Sequence, residues 1–336
     1  MNTMKLIRHL AIGLTALVLG FAGLSDAQER RAARPTDKPF LWLIEGEAPS
    51  FLYGTIHVAD PRVTALPNVV NKAIDLSDAL LTEVPMDQGL QMAMARHVML
   101  PAGQGLSTRV APELVERLDA YARRKGLGGA AAFERIKVWC TSLQLQMLEA
   151  GAQEGGAKAL DQGLFDRARA QGKEVGGLET IEEQLGCFDQ LTDEEQARML
   201  AAALDAVEAP SDRAARKRPL EELVSKYLAG DLDALVRAIE VTNAGDDQAL
   251  VDRMRKALIV DRNHRMAERI TARLREAPGR STFYAVGTAH YHGDEGVVAL
   301  LQAQGFKVRR LTNADANRLR RAPAAAGGRA GSGARR

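Results

Sequence analysis

The chain has 336 residues, with 45 Lys+Arg, 43 Asp+Glu, two Cys and 4% aromatic residues. That length supports one large core or two modest ones, and 46% apolar residues is the composition of a globular protein. Near-neutral charge excludes a nucleic-acid binder that works through a basic surface. Two cysteines exclude a disulfide scaffold or a thiolate zinc cluster.

Residues 1–27 read as a secretory signal. Lys5 and Arg8 make a basic start, residues 10–24 form an apolar run, and Ser25-Asp26-Ala27 supplies small residues for cleavage. The run is shorter than the ~20 residues a bilayer span needs. The expectation is therefore a mature chain from Gln28, exported and periplasmic, with no stable membrane span. Strands are predicted over 40–44 and 50–56, around a turn at Gly46–Pro49. A helix is expected over 63–77 and a strand over 79–84, stopped by Pro85. Helices then dominate, at 88–99, 112–125, 130–149 and 159–171, each with apolar positions three and four apart. A short strand is expected at 173–176 and a helix from Thr180. Thr192 and Glu195 form a capping box for a helix over 194–207. Helices over 213–229, 232–241 and 246–276 follow, then a strand over 281–286, a helix over 295–304 stopped by Gly305, and a last strand over 306–311. From 313 to 336 the chain is rich in Ala, Gly and Arg and is expected to be a disordered tail, either merely solvated or in contact with anionic envelope polymers or lipid head groups. Residues 309–336 carry a net +7 and residues 1–27 a net +1, so within a total of +2 the body over 28–308 carries −6.

Strands cluster at the two ends of the chain and helices fill its middle. The fold class expected is α/β, with one sheet formed by N- and C-terminal βαβ-type halves and a large helical insert over about 88–276. No Pro/Ser-rich linker divides the body, so 28–312 reads as one domain.

Two segments share a plan. Phe51-Leu52-Tyr53-Gly54-Thr55-Ile56-His57 and Tyr284-Ala285-Val286-Gly287-Thr288-Ala289-His290 are each an apolar strand followed by Gly-Thr, one further residue and His. Ligands of open α/β sheets bind off the carboxyl ends of strands, so His57 and His290 are candidates to face one cleft. Two imidazoles and a carboxylate make a catalytic metal site with a position open for water. Glu83, at the end of an apolar strand, is the best carboxylate, as ligand or general base. The competing account has both histidines capping strand ends and Glu83 paired with an Arg. Arg262 and Asn263 flank the apolar face of the long helix, where Arg262 can neutralise Glu83 or hold an oxyanion, or simply anchor the helix. His292 is a possible accessory ligand or base. His97 and His264 are expected on exposed helix surface. Cys140 and Cys187, in an oxidising compartment, are expected to form a disulfide worth ~4 kcal/mol in the chain-entropy model; the alternative is two buried thiols. No P-loop, G-x-G-x-x-G unit, H-E-x-x-H or G-x-S-x-G occurs.

Taken together, FLYGTIHV, LLTEVP, GLETIEEQL, DRNHRM and FYAVGTAHYHGDEGVVALLQAQGFKVRRL resemble the TraB/GumN family, which includes the Tiki metalloproteases of animals; the resemblance covers roughly residues 39–311. It implies an α/β core with a helical insert and a divalent-metal-dependent hydrolase in the animal members. By position, His57 and His290 match the motif histidines, Glu83 the intervening glutamate and Arg262-Asn263 the R-N pair. The expected function is a periplasmic metallopeptidase. His57, His290 and Glu83 would bind Mn, Co or Zn, and Arg262 and Asn263 would orient a peptide or protein substrate. The alternative is a non-catalytic binding protein that sequesters a peptide or envelope glycan.

Overall fold

The computed structural model describes residues 36–149, 158–209, 213–240 and 248–320. The proposed signal and most of the proposed tail lie outside these. Six strands form a single sheet: β1 (Leu41–Ile44), β2 (Ser50–Thr55), β3 (Ala79–Thr82), β4 (Glu174–Gly177), β5 (Thr282–Gly287) and β6 (Val308–Leu311), in the order β4-β3-β5-β2-β1-β6. β2, β5, β3 and β4 run parallel, while β1 pairs antiparallel with β2 and β6. The expected α/β sheet, with both chain ends in it and helices from the middle, is the fold observed. β1, β2, β3 and β5 are buried along their whole length, as strands covered on both faces must be.

The repeated motifs sit on neighbouring strands. Their register is offset by one, with Gly54 beside Val286 and Thr55 beside Gly287. The main core packs on this sheet; two smaller apolar clusters lie within the insert, one around Trp139, Leu185 and Phe188 and one around Leu118, Leu145 and Leu200. No described helix is long and apolar enough to cross a membrane.

Several helices are shorter than their periodicity suggests. The segment over 63–77 divides into a turn at Pro61–Thr64 and a helix at Asn68–Leu76, because Pro67 has no N–H to donate and disfavours helical Leu66. The segment over 130–149 divides into Ala130–Phe133 and Val138–Glu149. Between them the backbone spends its hydrogen bonds on the 98–100 loop, through Leu100 N–H to Arg135 O (2.8 Å) and Lys137 N–H to Val98 O (2.9 Å). The last long helix is Gln248–Arg255 and Asp261–Glu276, joined by a π turn at Lys256–Val260. The capping box of Thr192 and Glu195 is made in both directions, starting the helix Asp193–Glu208.

Two expectations are corrected. Cys140 and Cys187 are free thiols. Both lie in the Trp139 cluster, and burial pushes them up to about 12 and about 11, so the environment favours the neutral thiol. The fold also continues past 312. Thr312 and Asp315 form a capping box, Val69 N–H donates to Asn313 Oδ1 (3.2 Å), and Leu319 is buried in the main core. An Ala/Arg-rich composition hid the one leucine that docks.

Candidate functional site

Three parallel strands end together. The loop after β2 carries His57, Glu83 follows β3, and β5 runs into the 3-10 turn Thr288–Tyr291 that carries His290. Because β5 lies between β3 and β2, all three side chains leave the same carboxyl edge. Exposure is 7% for His57, 3% for Glu83 and 0% for His290. The Gly-Thr pairs lock the two loops. A Cβ on Gly54 would stand 2.8 Å from Phe40 Cβ and 2.9 Å from Thr288 Oγ1, so only glycine fits. Thr288 Oγ1 donates to Thr55 O (2.8 Å), and Thr55 Oγ1 donates to Asp161 (2.5 Å).

Each imidazole is held by its Nδ1. His57 Nδ1 lies 2.7 Å from Asp161 Oδ2. His290 Nδ1 lies 2.6 Å from Asn263 Oδ1, and the Asn263 amide nitrogen donates to Glu295 O (2.7 Å). An acceptor faces Nδ1 in both cases, so the Nδ1 tautomer carries the proton and Nε2 presents its lone pair. Both Nε2 atoms are buried without a hydrogen-bond partner. Their electrostatic surroundings differ. Burial opposes the His57 imidazolium, but the Asp161 carboxylate outweighs it and raises the pKa above the ordinary value. Burial, with the Arg262 guanidinium, pushes His290 down to about 3, so it is neutral.

Glu83 is enclosed by donors. Arg262 Nη2 donates to Oε2 (2.6 Å), Gln184 Nε2 to Oε2 (2.9 Å) and Gly287 N–H to Oε1 (2.7 Å). Burial works against its ionisation, yet Arg262, the nearby imidazoles and the Gly287 N–H bring its pKa down to about 2. Arg262 is shared: Nε donates to Glu179 Oε2 (2.8 Å) and Nη1 to Leu258 O (3.3 Å), and Arg265 Nη1 binds Glu179 Oε1 (2.6 Å). The pairing of β3 with β4 continues past the strand ends, with Glu179 N–H donating to Glu83 O (2.7 Å). That sets both glutamates against one guanidinium. Among the described residues Arg262 is the only buried Arg or Lys, while Glu83, Asp161 and Glu179 are all buried. The cluster has an excess of negative charge.

Sequence reasoning thus reached His57, Glu83, Arg262, Asn263 and His290, and the structure brings these five together. Arg262 and Asn263 spend their groups on Glu83, Glu179 and His290. His292 lies elsewhere, with Nε2 3.1 Å from Asp233 Oδ1 and a side chain 37% exposed. His264 is exposed as expected. His97 is not: its side chain is 10% exposed, beside Trp139, with Nε2 3.3 Å from Asp189. Asp161, Glu179 and Gln184 were missed. The last two lie inside GLETIEEQL; Asp161 lies in the first turn of helix Leu160–Ala170, outside every motif quoted above.

Among the described residues no three His, Cys, Asp or Glu side chains are already grouped as a metal site, and His290 Nε2 stands 3.9 Å from Glu83 Oε1. The donor chemistry nonetheless suits a cation. Two buried lone pairs lack partners, each ring is fixed from behind by an oxygen, and the surroundings carry excess negative charge.

Comparison with known proteins gives a consistent picture. "Metalloprotease TIKI1" of Danio rerio is 30% identical over 309 residues, covering 80% of this chain and 62% of that protein. "Metalloprotease TIKI2" of Xenopus tropicalis is 28% identical over 330 residues, covering 86% and 62%. "Uncharacterized protein YbaP" of Shigella flexneri is 28% identical over 153 residues, covering 45% and 55%. The chain thus spans about three fifths of the length of these animal relatives. No solved structure matches. The pattern characteristic of the TraB/PrgY/gumN family matches residues 40–310, a stretch that contains the sheet except the last residue of β6 and every residue of the histidine–glutamate cluster: the chain belongs to this family.

Proposed function

We propose that the protein is a divalent-metal-dependent hydrolase, a peptidase in the manner suggested by the names of its animal relatives, and that it acts outside the cytoplasm after export directed by residues 1–27. The observation that carries this reading is the pair of buried Nε2 atoms without hydrogen-bond partners, brought from far apart in the chain to one edge of the sheet, with His290 Nε2 3.9 Å from Glu83 Oε1. His57 and His290 would hold the cation, with Glu83 Oε1 as the carboxylate donor. When bound, the ion supplies Lewis acidity and makes water nucleophilic at neutral pH. The protein's own groups do the rest. Asp161 and Asn263 keep the rings turned so that Nε2 faces inward. Arg262, Gln184 and the Gly287 N–H hold Glu83 ionised. A carboxylate with a pKa near 2 is a weak base, so Glu83 is better suited to ligation than to proton abstraction.

The test is metal content. Purified protein incubated with Mn²⁺, Co²⁺ or Zn²⁺ and desalted is expected to retain about one ion per chain, and His57→Ala and His290→Ala are each expected to lose it. Unchanged content in both variants would remove the mechanism. A second reading, a binding protein without catalysis, draws on the Arg262 bridge that already balances Glu83. It predicts a melting temperature indifferent to EDTA and to every added ion, whereas a ligand confined to the folded state raises it.

A further inference from the structure

The corner that joins two helices of the insert touches both histidine loops. Helix Arg213–Ala229 stops at Gly230, whose φ is +70° and whose added Cβ would stand 2.3 Å from Lys38 O. Asp231 restarts the chain as helix Leu232–Glu240, its carboxylate accepting from Ala234 N–H (2.9 Å). Arg310 of β6 fastens the corner by donating to Gly230 O (2.9 Å) and Lys38 O (3.1 Å). The corner is therefore seated on the sheet. Three residues before the glycine, Tyr227 is buried, its ring 5.4 Å from that of Phe40. Its hydroxyl donates to Gly54 O at 2.8 Å, with Tyr53 Oη at 3.1 Å. Three residues after it, Asp233 Oδ1 lies 3.1 Å from His292 Nε2. One contact lands on the glycine of the first Gly-Thr-x-His motif, the other two residues past the histidine of the second.

We propose that the Tyr227–Asp233 corner is a clamp that sets the spacing of His57 and His290, with Tyr227 as a positioning residue acting through the Gly54 carbonyl and Asp233 as one acting through His292. As a statement about metal geometry it rests on the metal-site reading above; as a statement about loop order it does not. A buried hydroxyl on a strand-end carbonyl fixes the peptide from which the Thr55–His57 loop departs, and an unmade buried bond there leaves that carbonyl unsatisfied. The clamp also explains why the insert, remote in sequence from both motifs, packs against their edge of the sheet.

The experiment uses the full chain and the variants Tyr227→Phe, Asp233→Ala, their combination, and Tyr53→Phe, which removes the neighbouring hydroxyl but leaves the Tyr227–Gly54 bond. Hydrogen exchange on metal-free protein is read over residues 54–58 and 288–293, and Co²⁺ binding by its visible absorption. Tyr227→Phe and Asp233→Ala are expected to speed exchange in both loops, each including the loop it does not touch, with Tyr53→Phe unchanged. Co²⁺ affinity is expected to fall about tenfold in each, at the low end for groups that orient metal ligands, and the double variant to lose less than the product of the two. Exchange unchanged in both loops of Tyr227→Phe, or equally fast in Tyr53→Phe, overturns the clamp. A wild-type chain that takes up no Co²⁺ removes the metal reading alone, because the exchange comparison still decides the clamp without it.

Discussion

Arg262 has 1% of its side-chain surface exposed and two carboxylates within 2.7 Å of one nitrogen. Water cannot stand in for it. Replacing it by Met keeps much of the volume but leaves Glu83 and Glu179 buried against each other. Removing one partner of a buried ion pair costs ~3–5 kcal/mol, and urea unfolding of Arg262→Met is expected to show a loss of that order; a change of ordinary surface size would mean that the glutamates are protonated or hydrated once the cation is gone. The histidines were legible because Gly-Thr-x-His occurs twice, and coincidence of that kind is rare. Glu83 was legible because a charge at the end of a buried strand needs a partner. Asp161 was not. An acid in the first turn of a helix is explained by the helix dipole alone, and only the sheet, by carrying His57 to it, gives it a second task. The cysteines show the converse error: an oxidising compartment makes a bridge favourable but says nothing of where side chains point.

At the scale of elements, the π turn Lys256–Val260 was invisible to periodicity, since Asp246–Glu276 reads as one helix. Its signature is Asp261 N–H donating to Lys256 O, five residues back. The widened turn absorbs about one residue and offsets the drift of every-fourth positions on an α-helix. Met254 and Leu258 can then face the Trp139 cluster while Arg262, Asn263 and Met266 face the sheet. Because the turn absorbs one residue, deleting Ala257 is expected to give a continuous α-helix with both halves still in phase, Met254 and Leu258 in their cluster, Arg262 on Glu83, and urea unfolding close to that of the parent. A loss of ~2–5 kcal/mol would show that the halves had rotated and that the π turn does not absorb the extra residue. Proline 67 was legible in principle, and the split at 134–137 was not, because its cause is a tertiary bond to the 98–100 loop.

At the scale of the molecule, the grouping of strands at the chain's two ends made the single sheet legible, and the strand order was not. Nothing in local sequence says that β5 inserts between β2 and β3. The C-terminal limit was also misplaced, because one leucine decides it. Leu319→Ala is expected to cost ~2–5 kcal/mol, as for other buried leucines, measured by chemical denaturation; a neutral result would return residues 313–320 to the status of a tail.

That strand order has a consequence for the timing of assembly. A ribosome delivers β2 and β3 early, yet in the finished sheet they are separated by a place that only β5 fills. A chain still short of residue 282 has neither that neighbour nor the second imidazole, and the first ring has nothing opposite it. The cluster is thus completed at the end of synthesis, by a long-range pairing of the kind that slows folding. The reactive groups therefore cannot gather before residue 290 of the 336 has been made.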